Sequence, residues 1–316
     1  MLGVLLLAAV GGILLSLTQG SVHISFGEIV HTLLWPEEFP NQIIWNIRLP
    51  RTLVAAFVGL NLALSGAILQ SIMKSPLADP HIIGISSGAG LSGILVLIVL
   101  PQWQYLLTPV AFLGAMAAAM AIYLLAWKGG IRPVRIILAG VAVSAFLGAG
   151  IAALLVFYSD KVHGALLWMV GGLSARSWPH FYAILPYTLL GAVLALFSSR
   201  SLNILELGDE VAAGLGLAVE RTRLAMTALA ALLAASAVSV AGLLGFVGLV
   251  VPHAARLLIG SDYRYVIPAS ALLGVAVITL SDTFARTLFA PVELPVGIIM
   301  AFAGAPFFLY LLRKEI

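Results

Sequence analysis

Residues 53–73 read LVAAFVGLNLALSGAILQSIM, a run of 21 positions without a charged side chain. At a rise of about 1.5 Å per residue, a helix of that length spans roughly 30 Å, the thickness of the hydrocarbon layer of a bilayer. That layer holds no water to satisfy backbone N–H and C=O groups, so the stretch must bond them internally, as an α-helix does. The same template fits residues 1–17, 83–99, 106–127, 134–157, 181–197, 224–240, 243–258, 266–289 and 296–312. The expected fold is an all-α integral membrane protein of about ten transmembrane helices, with residues 1–316 forming a single membrane domain.

Composition leads to the same class. Hydrophobic residues make up 62% of the 316 and charged residues 9%, where a soluble domain carries roughly 25% charged residues. Mean hydropathy is +1.12, and no long segment has soluble composition, which excludes a soluble domain on one anchoring helix. The net charge of +3 comes from basic residues scattered singly. They read as topology signals rather than as a nucleic-acid surface. Cysteine is absent, so there is no disulfide framework, Cys-ligated metal site or thiol nucleophile. Residues 1–17 lack the basic start and the cleavage site of a signal peptide and read as a retained helix.

With the amino terminus inside, 11 of the 16 Lys and Arg residues fall on the inner side: Lys74, Lys128, Arg132, Arg135, Arg200, Arg221, Arg223, Arg256, Arg264, Arg313 and Lys314. Arg48, Arg51, Lys161, Arg176 and Arg286 fall outside. The excess places both termini in the cytoplasm.

The longest polar stretch on the inner side, residues 200–223, reads as two short helices. The first runs over residues 204–215 after Asn203, a turn follows at Gly214 and Gly216, and the second starts at Val219. Glu206, Asp209 and Glu210 suit the macrodipole of the first helix, and Arg221 and Arg223 lie at the membrane edge. We read the segment as a partner-docking device, the alternative being a solvated connector. Asp282 and Arg286 are one turn apart and are expected to form an ion pair. Asn61, Ser65 and Gln70 share a helix face that either lines a pathway or bonds neighbouring helices. Gly84, Gly88, Gly90 and Gly93 read as a packing stripe, since no G-x-x-x-x-G-K-[ST] phosphate loop occurs. His81 and His253 each follow a proline without a second ligand at metal spacing. No metal site, cofactor site or catalytic grouping is expected, and the chain does not read as an enzyme.

A resemblance enters at Ile47-Arg48-Leu49-Pro50-Arg51. It continues through Ser75-Pro76-Leu77-Ala78-Asp79-Pro80, Gly84-Ile85-Ser86-Ser87-Gly88-Ala89, Trp168-Met169-Val170-Gly171-Gly172, Gly245-Phe246-Val247-Gly248-Leu249-Val250-Val251-Pro252-His253 and Glu293-Leu294-Pro295-Val296-Gly297. In this order the motifs resemble the FecCD family of permeases, which includes importers of vitamin B12, haem and ferric siderophores. The resemblance implies the type II ABC importer permease architecture in a bacterial cytoplasmic membrane. It also implies pairing with a second permease copy or close relative, two ATPase subunits on the cytoplasmic side, and an extracytoplasmic substrate-binding protein outside. Carried over by motif, Asn203, Glu206, Asp209, Glu210, Leu215, Gly216, Arg221 and Arg223 form the ATPase-coupling region. Ser75, Leu77, Pro133 and Val134 match positions near the cytoplasmic gate. Arg48, Arg51 and Arg286 match arginines that meet acids on the binding protein. By spacing, Arg48 and Arg51 can project from one helix face, and interfacial anchoring is the alternative role for such outer cations. At Pro133 and Val134 the vitamin B12 branch has small hydroxyl residues, which turns the expectation toward a ferric siderophore, with haem or cobalamin as the alternative. A more distant reading is an ion-coupled secondary transporter using Asp282.

Overall fold

The computed structural model describes residues 1–20, 24–35, 42–81, 84–127 and 133–315. Lys128 and Arg132 lie outside the described residues, and of Pro133 and Lys314 only the backbone is described. Every regular element among the described residues is helical. In chain order these are α1 (Leu2–Thr18), α2 (Phe26–Leu34), α3 (Leu49–Ile72, continuing a π-helical turn at Ile44–Arg48), α4 (Ile85–Val99), α5 (Leu107–Ala126) and α6 (Pro133–Phe157). They are followed by α7 (Val162–Val170), α8 (Trp178–Glu206), α9 (Asp209–Gly214), α10 (Val219–Ala241), α11 (Val247–Ile259), α12 (Tyr263–Thr287) and α13 (Val296–Glu315). Six of these segments are long and apolar enough to cross a membrane, and four shorter apolar helices stand at residues 2–18, 85–99, 247–259 and 296–310. A helix thus lies over each of the ten expected spans. The short α2, started by a Ser25–Glu28 capping box, and α7 were not anticipated.

The helix α3 lies inside the bundle, surrounded by neighbours. It packs against α12, α10, α8 and α11 and buries nearly every residue from Pro50 to Ile72. Hiding apolar area supplies no drive between helices in lipid, so close backbone packing and interhelical hydrogen bonds hold them together. A Cβ on Gly59 would sit 2.1 Å from the Gly274 carbonyl oxygen of α12, and one on Gly66 1.9 Å from that of Gly248 in α11. The glycine stripe of α4 works the same way, Gly88 meeting Gly114 of α5 and Gly93 receiving the Trp168 ring of α7. Of the two readings of the polar face on α3, helix-to-helix bonding is the one found. The Asn61 amide donates to Thr188 Oγ1 of α8 (2.9 Å) and Ser236 Oγ of α10 (3.0 Å), and the Ser65 hydroxyl donates to the Ala230 carbonyl (2.7 Å). Phe157 and Phe197 instead stand more than four-fifths exposed, where lipid would meet them.

The region between α8 and α10 departs from the expected pair of short helices. Residues 204–206 finish the 29-residue α8, and a break at Gly208 (φ 105°) precedes the six-residue α9. Only glycine holds such a φ without strain. Asn203 and Glu206 therefore belong to the spanning helix, and of the acids only Asp209 and Glu210 sit in the first turn of α9.

Because the contacts at Gly66 are to backbone, Gly66→Val must push α3 from α11. We expect an overpacking cost of about 1–3 kcal/mol or more, read as a lowered melting temperature in detergent. Gly148→Ala, whose added methyl meets nothing within 4 Å, should melt as wild type.

Candidate functional site

Alternation of helix direction gathers polar residues at the two ends of the bundle. At one end, Asp209 at the start of α9 accepts from Lys74 Nζ (3.0 Å) and from Arg223 Nη2 (2.9 Å). Burial works to raise the Asp209 carboxyl, but hydrogen bonds from Arg223 and Lys74 outweigh it and hold the group below the ordinary aspartate value. Arg223 is buried at 2% exposure, so α9 is tied to α10 and to the end of α3 from beneath. Its other face is free of the bundle. Val211 on α9, and Leu207 and Leu215 just before and after it, are each more than half exposed, and Glu210, Gly216 and Arg221 are exposed nearby. Asn203 accepts from the Tyr263 N–H (2.8 Å) and donates to Asp262 Oδ1 (2.8 Å), while Glu206 accepts from the Tyr263 hydroxyl (3.0 Å). Lys74 was placed on the inner side without its bond to Asp209, and Asp262 and Tyr263 were missed as members of this end. Nothing in the sequence links them to positions 60 or 135 residues away.

Ser75 and Leu77 follow Lys74 in a turn where the Leu77 N–H points to Ser75 Oγ at 3.4 Å, so the Lys74–Asp209 bridge brings them beside α9. Val134 stands 65% exposed at the start of α6.

At the opposite end the three outer arginines do not project from the surface. Arg48, Arg51 and Arg286 are 4%, 6% and 6% exposed. The physical reason is the end of α1, whose last carbonyls lack helical partners and carry the negative end of the helix dipole. Arg48 Nη1 donates to the Leu17 and Thr18 carbonyls (2.7 and 2.8 Å), and Arg286 Nη2 to the Ser16 carbonyl (2.7 Å) and hydroxyl (2.9 Å). Arg51 holds Asp282 through two parallel bonds of 3.0 Å and reaches Glu293 at 2.8 Å. Arg286 Nε lies 3.5 Å from Asp282 Oδ2, so the closer cation on Asp282 is Arg51, on another helix. Rim-exposed docking charges are thus not what the free subunit presents. Glu293, 42% exposed at its side chain and also bonded by Ser174 (3.0 Å), is the group at the surface. Burial opposes its charge, but Arg51 outweighs burial and holds the carboxyl below the usual glutamate range. Nearby, burial and the Arg51 charge bring the Arg176 guanidinium down to about 10.

Among the described residues no group of three His, Cys, Asp or Glu is placed to hold a metal ion. Two cavities lie near these ends. One of about 420 Å³ is lined by Asp79, His81, Phe246, Leu249, Ala301 and Phe302. The other, about 860 Å³ at the Arg176 end, is lined by Tyr105, Phe112, Arg176, His180 and Tyr187.

Removing one partner of a buried pair leaves the other uncompensated. Arg51→Met should destabilise the subunit by about 3 kcal/mol, and adding Asp282→Leu should recover most of that loss in thermal melts. Equal melting of Arg51→Met and wild type would refute the structural role.

Comparison with known proteins gives this geometry its family. The FecCD transport family model matches residues 6–314. The chain is 39% identical over 304 residues to the Fe(3+)-citrate import system permease protein YfmD of Bacillus subtilis, covering 96% of this chain and 91% of that protein. It is 45% identical over 280 residues to the cobalamin import system permease protein BtuC of Halobacterium salinarum, covering 88% and 75%. Its structure is similar to an inward-facing metal-chelate type ABC transporter with a TM-score of 0.88 at 30% identity, covering 99% of this chain and 98% of that one. The chain belongs to the FecCD transport family and is a multi-pass permease subunit of an ATP-binding-cassette importer.

Proposed function

We propose that this permease passes a ferric siderophore-type chelate inward across a prokaryotic cytoplasmic membrane, with both termini inside. It works as one of two permease copies, with ATP hydrolysed on two separate subunits at the α9 end and a binding protein docking at the Glu293 end. The observation that carries the reading is α9 itself. A six-residue helix is anchored by Asp209 to two cations, and Val211 on it and Leu207 and Leu215 flanking it are turned to the surroundings. A rigid apolar knob of this kind suits a groove on a moving partner, whereas a solvated connector has no reason to hold three apolar side chains outward. The iron assignment draws on the name of the Fe(3+)-citrate relative and on Pro133 and Val134. Haem or cobalamin remains the alternative, and the name of the archaeal cobalamin relative favours it.

A secondary transporter coupled through Asp282 is disfavoured by a specific contact. That carboxylate is 1% exposed and held by Arg51 and Arg286, which leaves it a poor ligand for a moving cation. Docking at the opposite end fits an exchange of partners, in which an acid of the binding protein replaces Glu293 on Arg51.

Two experiments test the reading. Val211→Asp with Leu215→Asp should weaken ATPase association at least tenfold, about 1.4 kcal/mol, with melting unchanged, and uptake of iron-55 citrate into vesicles should then be lost. Wild-type association and uptake would overturn the coupling assignment, and uptake on an ion gradient without ATP would overturn the importer's energy source. Glu293→Gln should speed association of the binding protein several-fold at low salt, since rim charges act mainly on association rate. An unchanged rate and salt dependence would remove docking from this end.

A further inference from the structure

A chain of directional hydrogen bonds runs from the α9 end toward the cavity at Phe246. It starts from a missing donor. Pro252 in α11 has no N–H, so the Gly248 carbonyl four residues earlier loses its helical partner. A buried carbonyl is expected to be satisfied by something, and Gln70 of α3 supplies it. Its amide nitrogen lies 3.2 Å from both the Gly248 and Leu249 carbonyl oxygens, and the side chain is 3% exposed. The Gln70 amide oxygen in turn accepts from Arg256 Nη2, further along the same α11. Arg256 Nη1 approaches the Tyr263 hydroxyl at 3.5 Å, and that hydroxyl donates to Glu206 at 3.0 Å. Four helices, α8, α12, α11 and α3, are joined by consecutive bonds whose donors and acceptors are all assigned. Turning one member therefore costs its neighbour a bond.

The two ends of this chain give it meaning. At one, Glu206 and Asn203 close α8 immediately before α9. At the other, the first turn of α11 follows Phe246, whose φ of 66° is unusual for a bulky residue. Phe246 and Leu249 line the 420 Å³ cavity together with Asp79, Ala301 and Phe302.

We propose that Gln70, Arg256 and Tyr263 are positioning residues that transmit movement of the ATPase-coupling end to the first turn of α11, and so to the cavity it lines. This rests on the coupling assignment made above. A purely structural role for Gln70, filling the carbonyl orphaned by Pro252, makes a different prediction, because Pro252→Ala restores the helical N–H and makes Gln70 dispensable for that bond.

The chain has no cysteine, so Ala301→Cys gives one reporter in the cavity of each copy of this chain. The permease is assembled with its ATPase in lipid nanodiscs, and labelling by a water-soluble maleimide is timed with and without ATP. In the otherwise wild-type complex the labelling rate should change on adding ATP. Gln70→Leu and Tyr263→Phe should each lose that change while ATP is still hydrolysed. Pro252→Ala added to Gln70→Leu should recover melting temperature but not the response. A wild-type response in Tyr263→Phe, which removes one hydroxyl and leaves the packing, overturns the relay. So does a response regained in the Pro252→Ala, Gln70→Leu pair. If the otherwise wild-type reporter ignores ATP, the coupling assignment fails and the relay falls with it.

Discussion

The subunit depends on how closely helices can approach α3. In lipid, burying an apolar side chain between helices gains little over leaving it in contact with acyl chains, so packing distance and polar bonds decide association. Glycines at 59 and 66 remove the side chains that would hold α12 and α11 away, and the Gly274 and Gly248 backbones fill the space. Once the backbones are that near, short side chains suffice to bridge them. Asn61, Ser65 and Gln70, all on α3, between them reach α8, α10 and α11.

Charge follows the same logic of satisfying groups that water cannot reach. An unpaired cation inside a bilayer is expensive, and such residues turn toward a partner or a cavity. Arg48 and Arg286 find theirs in the carbonyls closing α1, and Arg51 finds two carboxylates. This end of the molecule is knit across α1, α3, α12 and the loop bearing Glu293. The Arg51–Glu293 bridge is left half-exposed at the surface.

The other end holds a short helix in place. The α9 helix is too short to be stable alone, since isolated helices below about 12 residues are marginal, and it is held by Asp209 to Lys74 and Arg223. The apolar residues it turns outward are therefore presented on a fixed scaffold. Through Asp209 that scaffold includes α10 and the end of α3.

Membrane class and the places of the ten apolar helices were legible in the chain itself, because length and hydropathy are local properties that the bilayer reads directly. The short α2 and α7 were not, since nine-residue helices carry too little pattern to separate from connecting loops. The family motifs marked residues 203–223 and the three arginines as places that matter, and sequence spacing put Asp282 one turn from Arg286. Which partner each takes was decided only in three dimensions. Arg51 reaches Asp282 across 231 positions and Tyr263 reaches Glu206 across 57, and no local pattern encodes such pairs. Burial was decided there too. A cation near a helix end looks the same in sequence whether it faces water or caps a neighbouring helix, and only the packed position of α1 turned Arg48 and Arg286 inward.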